Sequence, residues 1–245
     1  MTEQINSNKN VSTTQFIEMS KENLEKYAGS FKSIDTEPFL IYDIDRTLYS
    51  SNENIEQGMM KCITEYAFSK TSNLTREEFE QKITATSYED INLVDRIYNH
   101  IDIDTDFYDT ALKTYDFKKN IKPKHELREF IDKINLRKIC FTNGTAFQSR
   151  NVLENLGLIF CFEYVICADN TVKKNPYKKP FSQAFEFVNS LFGISKESTV
   201  YYFDNKLTNI ENGKKFGWQS FLVEPDHNIN ILTREKIKNF DQYFR

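Results

Sequence analysis

Residues 37–45, EPFLIYDID, constrain this chain more than any other segment. Their near-continuous apolar run is what a strand buried on both faces looks like, and such strands belong to parallel sheets covered by helices on both sides. Pro38 stands at the start, where a missing N–H is tolerated. The run ends in two acids, so polar chemistry sits at the strand's carboxyl end.

The rest of the chain fits that opening. Between residues 54 and 118, IEQGMMKCITEYAFSK, LTREEFEQKITA and INLVDRIYNHI read as amphipathic helices without strand alternation. Thereafter HELREFIDKI reads as a helix, RKICFT as a strand, and TAFQSRNVLENLGL as a helix with Gly157 near its end. EYVICAD is a strand. Phe181, Ala184, Phe185, Val188 and Leu191 keep helical spacing, and Gly193 closes that helix. STVYYFD and QSFLVE are strands around the helix TNIENGKKFGW. Alternating strands and helices predict an α/β fold, a Rossmann-like doubly wound parallel sheet. The expected division is a polar N-terminal extension (1–34), an α/β core (35–53 and 119–245) and a helical insertion (54–118). In the extension, Phe16, Ile17, Leu24 and Tyr27 predict one helix, ended by Gly29.

Composition narrows the function. Lys+Arg total 32 against 36 Asp+Glu, a net charge of -4. With no basic–aromatic stripe, nothing favours binding to nucleic acid or an anionic membrane. No apolar run approaches the roughly 20 residues of a membrane span. The opening MTEQINSNKN lacks the apolar core of a secretory signal. Cys62, Cys140, Cys161 and Cys167 lack zinc spacing and read as reduced, structural and cytoplasmic. The three histidines sit in no motif, which argues against His-centred chemistry.

In a sheet of this kind ligands bind at the carboxyl ends of the strands. Four elements fall there. Asp43 and Asp45 are spaced by two and would point the same way on a strand. If the chain turns after Asp43, one acid can attack and the other can handle a proton. Their mutual repulsion calls for a proton or a hard cation such as Mg²⁺. Taken alone, the pair also fits turn or helix-capping acids. Thr142, Asn143 and Gly144, ahead of a helix, can form an anion site, or an ordinary strand–turn–N-cap. Lys178-Lys179-Pro180 opens the next helix. Lys179 there can offset the charge of a phosphate, or join Lys173 and Lys174 in a solvated patch. Asp204 and Asn205, followed by Lys206 and Asn209, can complete a metal site or a simple turn. Order and placement make the four specific together.

With these motifs the sequence resembles the haloacid dehalogenase superfamily of aspartyl phosphatases, and looks most like its pyrimidine 5′-nucleotidase branch. The resemblance runs from about Phe39 to Val223. D-x-D-x-T-L-Y is present as Asp43 to Tyr49, Thr-Asn as Thr142-Asn143, and Lys-Pro with a downstream Ala-Phe as Lys179-Pro180 and Ala184-Phe185. The fourth motif falls on Asp204-Asn205-Lys206 and Asn209. The resemblance implies that Asp43 attacks phosphorus and Asp45 acts as acid and base. It implies that Thr142 and the N–H groups around Asn143 and Gly144 hold phosphate, and that Lys179 neutralises charge. Mg²⁺ would bind Asp43, the Asp45 carbonyl and the fourth motif, through Asn205 or Asp204. The insertion would be a substrate-selecting cap, with Tyr88 and Arg96 as its candidate contacts.

The sequence departs from the family at Asn205, where the motif usually has a second acid, at Lys206 for its usual serine, and at Ile91-Asn92 for a frequent Tyr-Gly step. The resulting expectation is a Mg²⁺-dependent phosphatase for a nucleoside 5′-monophosphate, cytoplasmic, monomeric or dimeric. The alternatives are a catalytically weakened relative that binds a ligand or partner, and a phosphatase for another phosphoester such as lysophosphatidate.

Overall fold

The structure is a computed structural model that describes residues 13–31, 37–84, 93–225 and 227–245. Six strands form one parallel sheet: Gln15–Met19 (β1), Phe39–Tyr42 (β2), Arg137–Phe141 (β3), Tyr164–Ala168 (β4), Val200–Asp204 (β5) and Gln219–Leu222 (β6). Their order is β1-β4-β3-β2-β5-β6. The helices are Lys21–Tyr27 (α1), Ile55–Ser69 (α2), Arg76–Thr84 (α3), Leu93–His100 (α4), Phe107–Leu112 (α5), Phe117–Asn120 (α6), His125–Lys133 (α7), Ala146–Leu156 (α8), Ser182–Phe192 (α9), Leu207–Lys215 (α10) and Ile229–Lys236 (α11). The parallel sheet with flanking helices is the fold that the alternating pattern predicts.

All four residues of β2 are buried, because successive side chains enter opposite faces of a covered sheet. Phe39 and Ile41 join one apolar cluster with Phe141, Phe185, Tyr202 and Trp218. Leu40 and Tyr42 join the other. That second cluster continues without a break into the insertion, through Met59, Ile63, Phe79, Ile97 and Phe107. Between β2 and β3 every named element among the described residues is helical, α2 to α7 and one short 3₁₀ turn. The helix after β3 starts where Thr145 accepts from the Gln148 N–H and stops at Gly157, whose φ of 77° suits the left-handed terminus.

The N-terminal expectation needs correction. Residues 15–19 are not helical; they form β1, an edge strand in register with β4 (Ile17 opposite Ile166, Met19 opposite Ala168). Ile17 and Met19 are buried while Gln15 and Glu18 are exposed. Ser20 then caps α1 by accepting from the Asn23 N–H, so the helix keeps only the second half of the segment. Leu24, Tyr27 and Phe31 pack on the same cluster as β1. The helical spacing of Phe16, Ile17 and Leu24 is therefore a chance overlap of two elements. The open edge of β4 supplied a ladder, and long-range pairing prevailed over local pattern. A smaller correction concerns α9. It begins at Ser182, with Phe181 as its N-cap, so Pro180 precedes the helix instead of opening its first turn.

Because β1 completes the sheet, Ile17→Ala should lower unfolding stability by about 2–5 kcal/mol, the usual range for a buried large-to-small change. Chemical denaturation checks this; a dispensable extension would give almost no change.

Candidate active site

Asp43 is the first residue beyond β2, and its N–H donates to the Phe203 carbonyl at 2.9 Å. Tyr42 lies opposite Cys140 on β3 and Phe203 on β5, so the three strands end nearly level. From β2 the later strands run outward in both directions, β3 and β4 on one side, β5 and β6 on the other. A crevice opens at such a reversal, outside the carboxyl ends of the strands. The chain then turns tightly. The N–H groups of Thr47 and Leu48 donate to the Ile44 carbonyl (3.2 and 3.0 Å), and Arg46 adopts a φ of 60°. The turn keeps Asp45 beside the cavity that Asp43 lines.

Lys179 lies across the carboxyl ends of β2, β3 and β5. Its buried Nζ donates to Asp43 Oδ1 at 2.8 Å, Asp204 Oδ2 at 2.6 Å and the Phe141 carbonyl at 2.7 Å. Three protons meet three acceptors, so the ammonium is fully satisfied. Burial by itself would lower the Lys179 pKa, but Asp204 and Asp43 outweigh it and hold the group charged. Burial pushes the Asp43 carboxyl above the usual carboxylate range, against the pull of Lys179. Asn143 positions the lysine through its backbone: Nδ2 donates to the Lys179 carbonyl (2.7 Å) and Oδ1 accepts from the Lys179 N–H (2.8 Å). The Asn143 side chain is thereby committed to the lysine.

Asp45 is held at both oxygens. Oδ1 accepts from the Tyr49 hydroxyl at 2.7 Å, and Oδ2 accepts from Gln148 Nε2 at 2.9 Å. Burial, followed by the charge of Glu56, lifts its carboxyl to about 6. Glu56 reaches the site from α2 and is paired with Arg46.

Thr142 is buried and its hydroxyl accepts from the Gly144 N–H at 3.1 Å. Thr142, Asn143 and Gly144 all line the cavity. Asp204 is fully buried, and accepts from Lys179, the Tyr202 hydroxyl, Asn209 and the Lys206 N–H. Its oxygens are thus committed to holding Lys179 and the following turn. Asn205 and Lys206 line the cavity itself. Among the described residues no group of three or more His, Cys, Asp or Glu side chains is arranged to hold a metal. The oxygen groups at the cavity, on Asp43, Asp45 and Asn205, are hard donors. They suit a cation such as Mg²⁺, which keeps several waters and needs only one or two carboxylates.

The cavity measures about 320 Å³. Arg96, on α4, lines it, and its Nε has no hydrogen-bond partner among the described residues. Tyr88 lies outside the described residues. A larger groove of about 530 Å³ lies between residues 46–50, the start of α7 and the start of α11, but it contains neither Asp43 nor Lys179. Motif spacing did not disclose Thr47, Gln148, Tyr108 or Glu56. Thr47 donates to Asp43 Oδ2 at 3.2 Å, and Tyr108 donates to Gln148 Oε1 at 2.6 Å. Thr47 lies inside the first motif and could have been singled out. The other three come from separate helices, and only folding brings them to the acids.

A family model for haloacid dehalogenase-like hydrolases matches residues 40–223. Among solved structures, the chain is similar to YfnB of Bacillus subtilis, described as a HAD hydrolase bound to magnesium. The TM-score is 0.50 and the identity 15%, over 79% of this chain and 90% of that one. L-2-haloacid dehalogenase from Xanthobacter autotrophicus aligns with a TM-score of 0.46 and 16% identity, over 80% and 81%. A HAD-like family hydrolase from Porphyromonas gingivalis aligns with a TM-score of 0.48 and 16% identity, over 84% of this chain and all of that one. Among the described residues no helix is long and apolar enough to cross a membrane. The family match runs from β2 through the insertion to the end of β6 and takes in every strand end that contributes to the cavity, and the chain belongs to the haloacid dehalogenase-like hydrolases.

Proposed function

We propose that the protein is a Mg²⁺-dependent phosphomonoesterase for a small phosphorylated metabolite, with a pyrimidine nucleoside 5′-monophosphate as the leading substrate. The observation that carries this reading is the buried Asp43–Lys179–Asp204 array beside Asp45. Lys179 occupies Asp43 Oδ1 and, among the described residues, leaves Oδ2 with only the 3.2 Å contact to Thr47. That oxygen attacks phosphorus, the bond to the leaving alcohol breaks, and an aspartyl-phosphate forms. Asp45 gives the leaving oxygen a proton and then takes one from the water that hydrolyses the intermediate. A carboxyl lifted to about 6 suits both tasks near neutral pH. The Thr142 hydroxyl and the N–H groups around Asn143 and Gly144 hold phosphate oxygens. Lys179 offsets the charge that develops in the transition state. The Asp43 carboxylate, the Asp45 carbonyl and the Asn205 amide would hold Mg²⁺, which supplies charge neutralisation at the phosphoryl oxygens. The insertion serves as the substrate-selecting cap, with Arg96 and Tyr88 as its contacts. The setting is cytoplasmic, and the partner is a metabolite, not nucleic acid or membrane.

A second reading rests on Asn205 and Lys206. With an amide in place of an acid and an added amine at the cavity, the protein is a weakened member of the family that binds a ligand or partner.

Phosphate release from UMP, CMP, AMP, a sugar phosphate and a lysophosphatidate, with and without magnesium, separates these readings. Magnesium-dependent release that falls about 10³-fold or more in Asp43→Asn supports the enzyme, by analogy with other nucleophile deletions. No release from folded protein supports the second reading. Asn205→Asp should tighten magnesium binding about tenfold, equivalent to roughly 1.4 kcal/mol. Magnesium-induced shifts in melting temperature report this directly. Tight wild-type binding that the substitution does not improve would contradict it. Lys179→Met should cost about 3–5 kcal/mol of stability, because two buried carboxylates lose their shared cation. A denaturation curve unchanged by the substitution would show that the array contributes little to folding.

A further inference from the structure

Asp45 depends on a residue of the helical insertion that it does not touch. Tyr108, on α5, is buried and donates from its hydroxyl to Gln148 Oε1 at 2.6 Å. Gln148, on α8, is also buried, and its Nε2 donates to Asp45 Oδ2 at 2.9 Å. A carboxamide has one acceptor end and one donor end. The tyrosine proton engages the acceptor end and the Asp45 carboxylate takes the donor end, so both ends of the amide are held. The tyrosine cannot turn that bond around by ionising: burial, with Asp45, Asp109 and Glu56 adding to it, raises its pKa well above the usual value. The bond also has a fixed frame. Thr145 donates to Asp109 Oδ1 on α5 at 2.6 Å, and the same hydroxyl accepts from the Gln148 N–H at 3.1 Å. Helix α5 is therefore tied to α8 one residue away from Tyr108.

We propose that Tyr108 and Gln148 form a positioning relay, through which the seating of α5 on α8 sets the orientation of the Asp45 carboxyl. The relay rests on the reading of Asp45 as the acid. Each Asp45 oxygen gives one lone-pair direction to Tyr49 or Gln148, and the other is left to carry the proton toward the cavity. In the transfer, the phosphorus–oxygen bond breaks with its electron pair on the leaving oxygen, and that oxygen takes the Asp45 proton. Without the Tyr108 hydroxyl the amide can flip. An acceptor oxygen then faces Asp45 Oδ2 and draws the carboxyl's proton away from the substrate. With α5 displaced the relay is broken, so protonation of the leaving group is confined to the seated state.

The test compares two esters that differ in their need for a proton. The leaving group of UMP is the uridine 5′-oxygen, an alkoxide that requires one, whereas that of 4-nitrophenyl phosphate is the stable 4-nitrophenolate. Tyr108→Phe keeps the ring that packs against Phe107. It should lower kcat for UMP about tenfold, part of the 10²–10⁴-fold that general acid catalysis supplies. The loss for 4-nitrophenyl phosphate should be much smaller, and KM for UMP should change little. Gln148→Leu should act in the same direction, and the double variant should be no worse than the more impaired single one. A readout independent of turnover is the side-chain amide signal of Gln148 in NMR, identified by its absence in Gln148→Leu. Its protons should exchange slowly in the wild type and lose that protection in Tyr108→Phe.

Equal losses on both esters, additive effects of the two substitutions, or an amide signal unchanged in Tyr108→Phe would overturn the relay. Asp45→Asn is the control. If it keeps full turnover of UMP, the acid assignment fails and the relay fails with it. If it loses UMP turnover while Tyr108→Phe does not, the relay alone is overturned.

Discussion

The ammonium of Lys179 is the interaction on which the rest of the site depends. Two carboxylates from adjacent strands, Asp43 and Asp204, meet at one buried point, and a bare pair there would repel strongly. The lysine turns that repulsion into attraction, and its third proton closes on the strand between β2 and β4 through the Phe141 carbonyl. It therefore links β2, β3 and β5 at their carboxyl ends. Asn143 extends the same logic by gripping the lysine's own peptide groups. One cation thus sets the position of Asp43, the turn after β3 and the turn after β5.

That arrangement explains what was legible in the sequence. The strands β2 to β6 and the four motif turns were readable because each is local. An apolar run with an acid at its end, or a Thr-Asn-Gly step before a helical pattern, carries its signal within a few residues. The interior of the site was harder to read. The motif at residues 204–206 gives no sign that Asp204 is spent on Lys179, Tyr202 and Asn209 while Asn205 faces the cavity. That division depends on which side of the strand end each side chain leaves. Gln148 looks like any polar residue early in a helix, and Tyr108 lies in a six-residue helix too short for periodicity to reveal. β1 was missed because five residues can satisfy a helical and an alternating pattern together, and its true partner lies far along the chain.

The insertion has a double character. Its apolar residues are continuous with one face of the sheet, which makes it part of the packed body. Its polar residues, Glu56, Tyr108 and Arg96, reach the cavity from three different helices. The same helices therefore contribute both to the stability of the fold and to the surroundings of the acids. A substitution in this region can act on packing, on the cavity or on both, according to which side of the helix it occupies.

The edge strand β1 has a consequence for how the molecule is assembled. Ile17 is paired with Ile166, so the strand that is synthesised first waits for a partner made about 150 residues later. Until β4 exists, β1 has no ladder to join and its apolar side chains have no surface to cover. Such distant pairings raise contact order and slow folding. In the interval β4 itself presents an open edge, the kind of template on which foreign strands dock. The vulnerable moment for this sheet falls late, between the forming of the central strands and the return of β1 to close them.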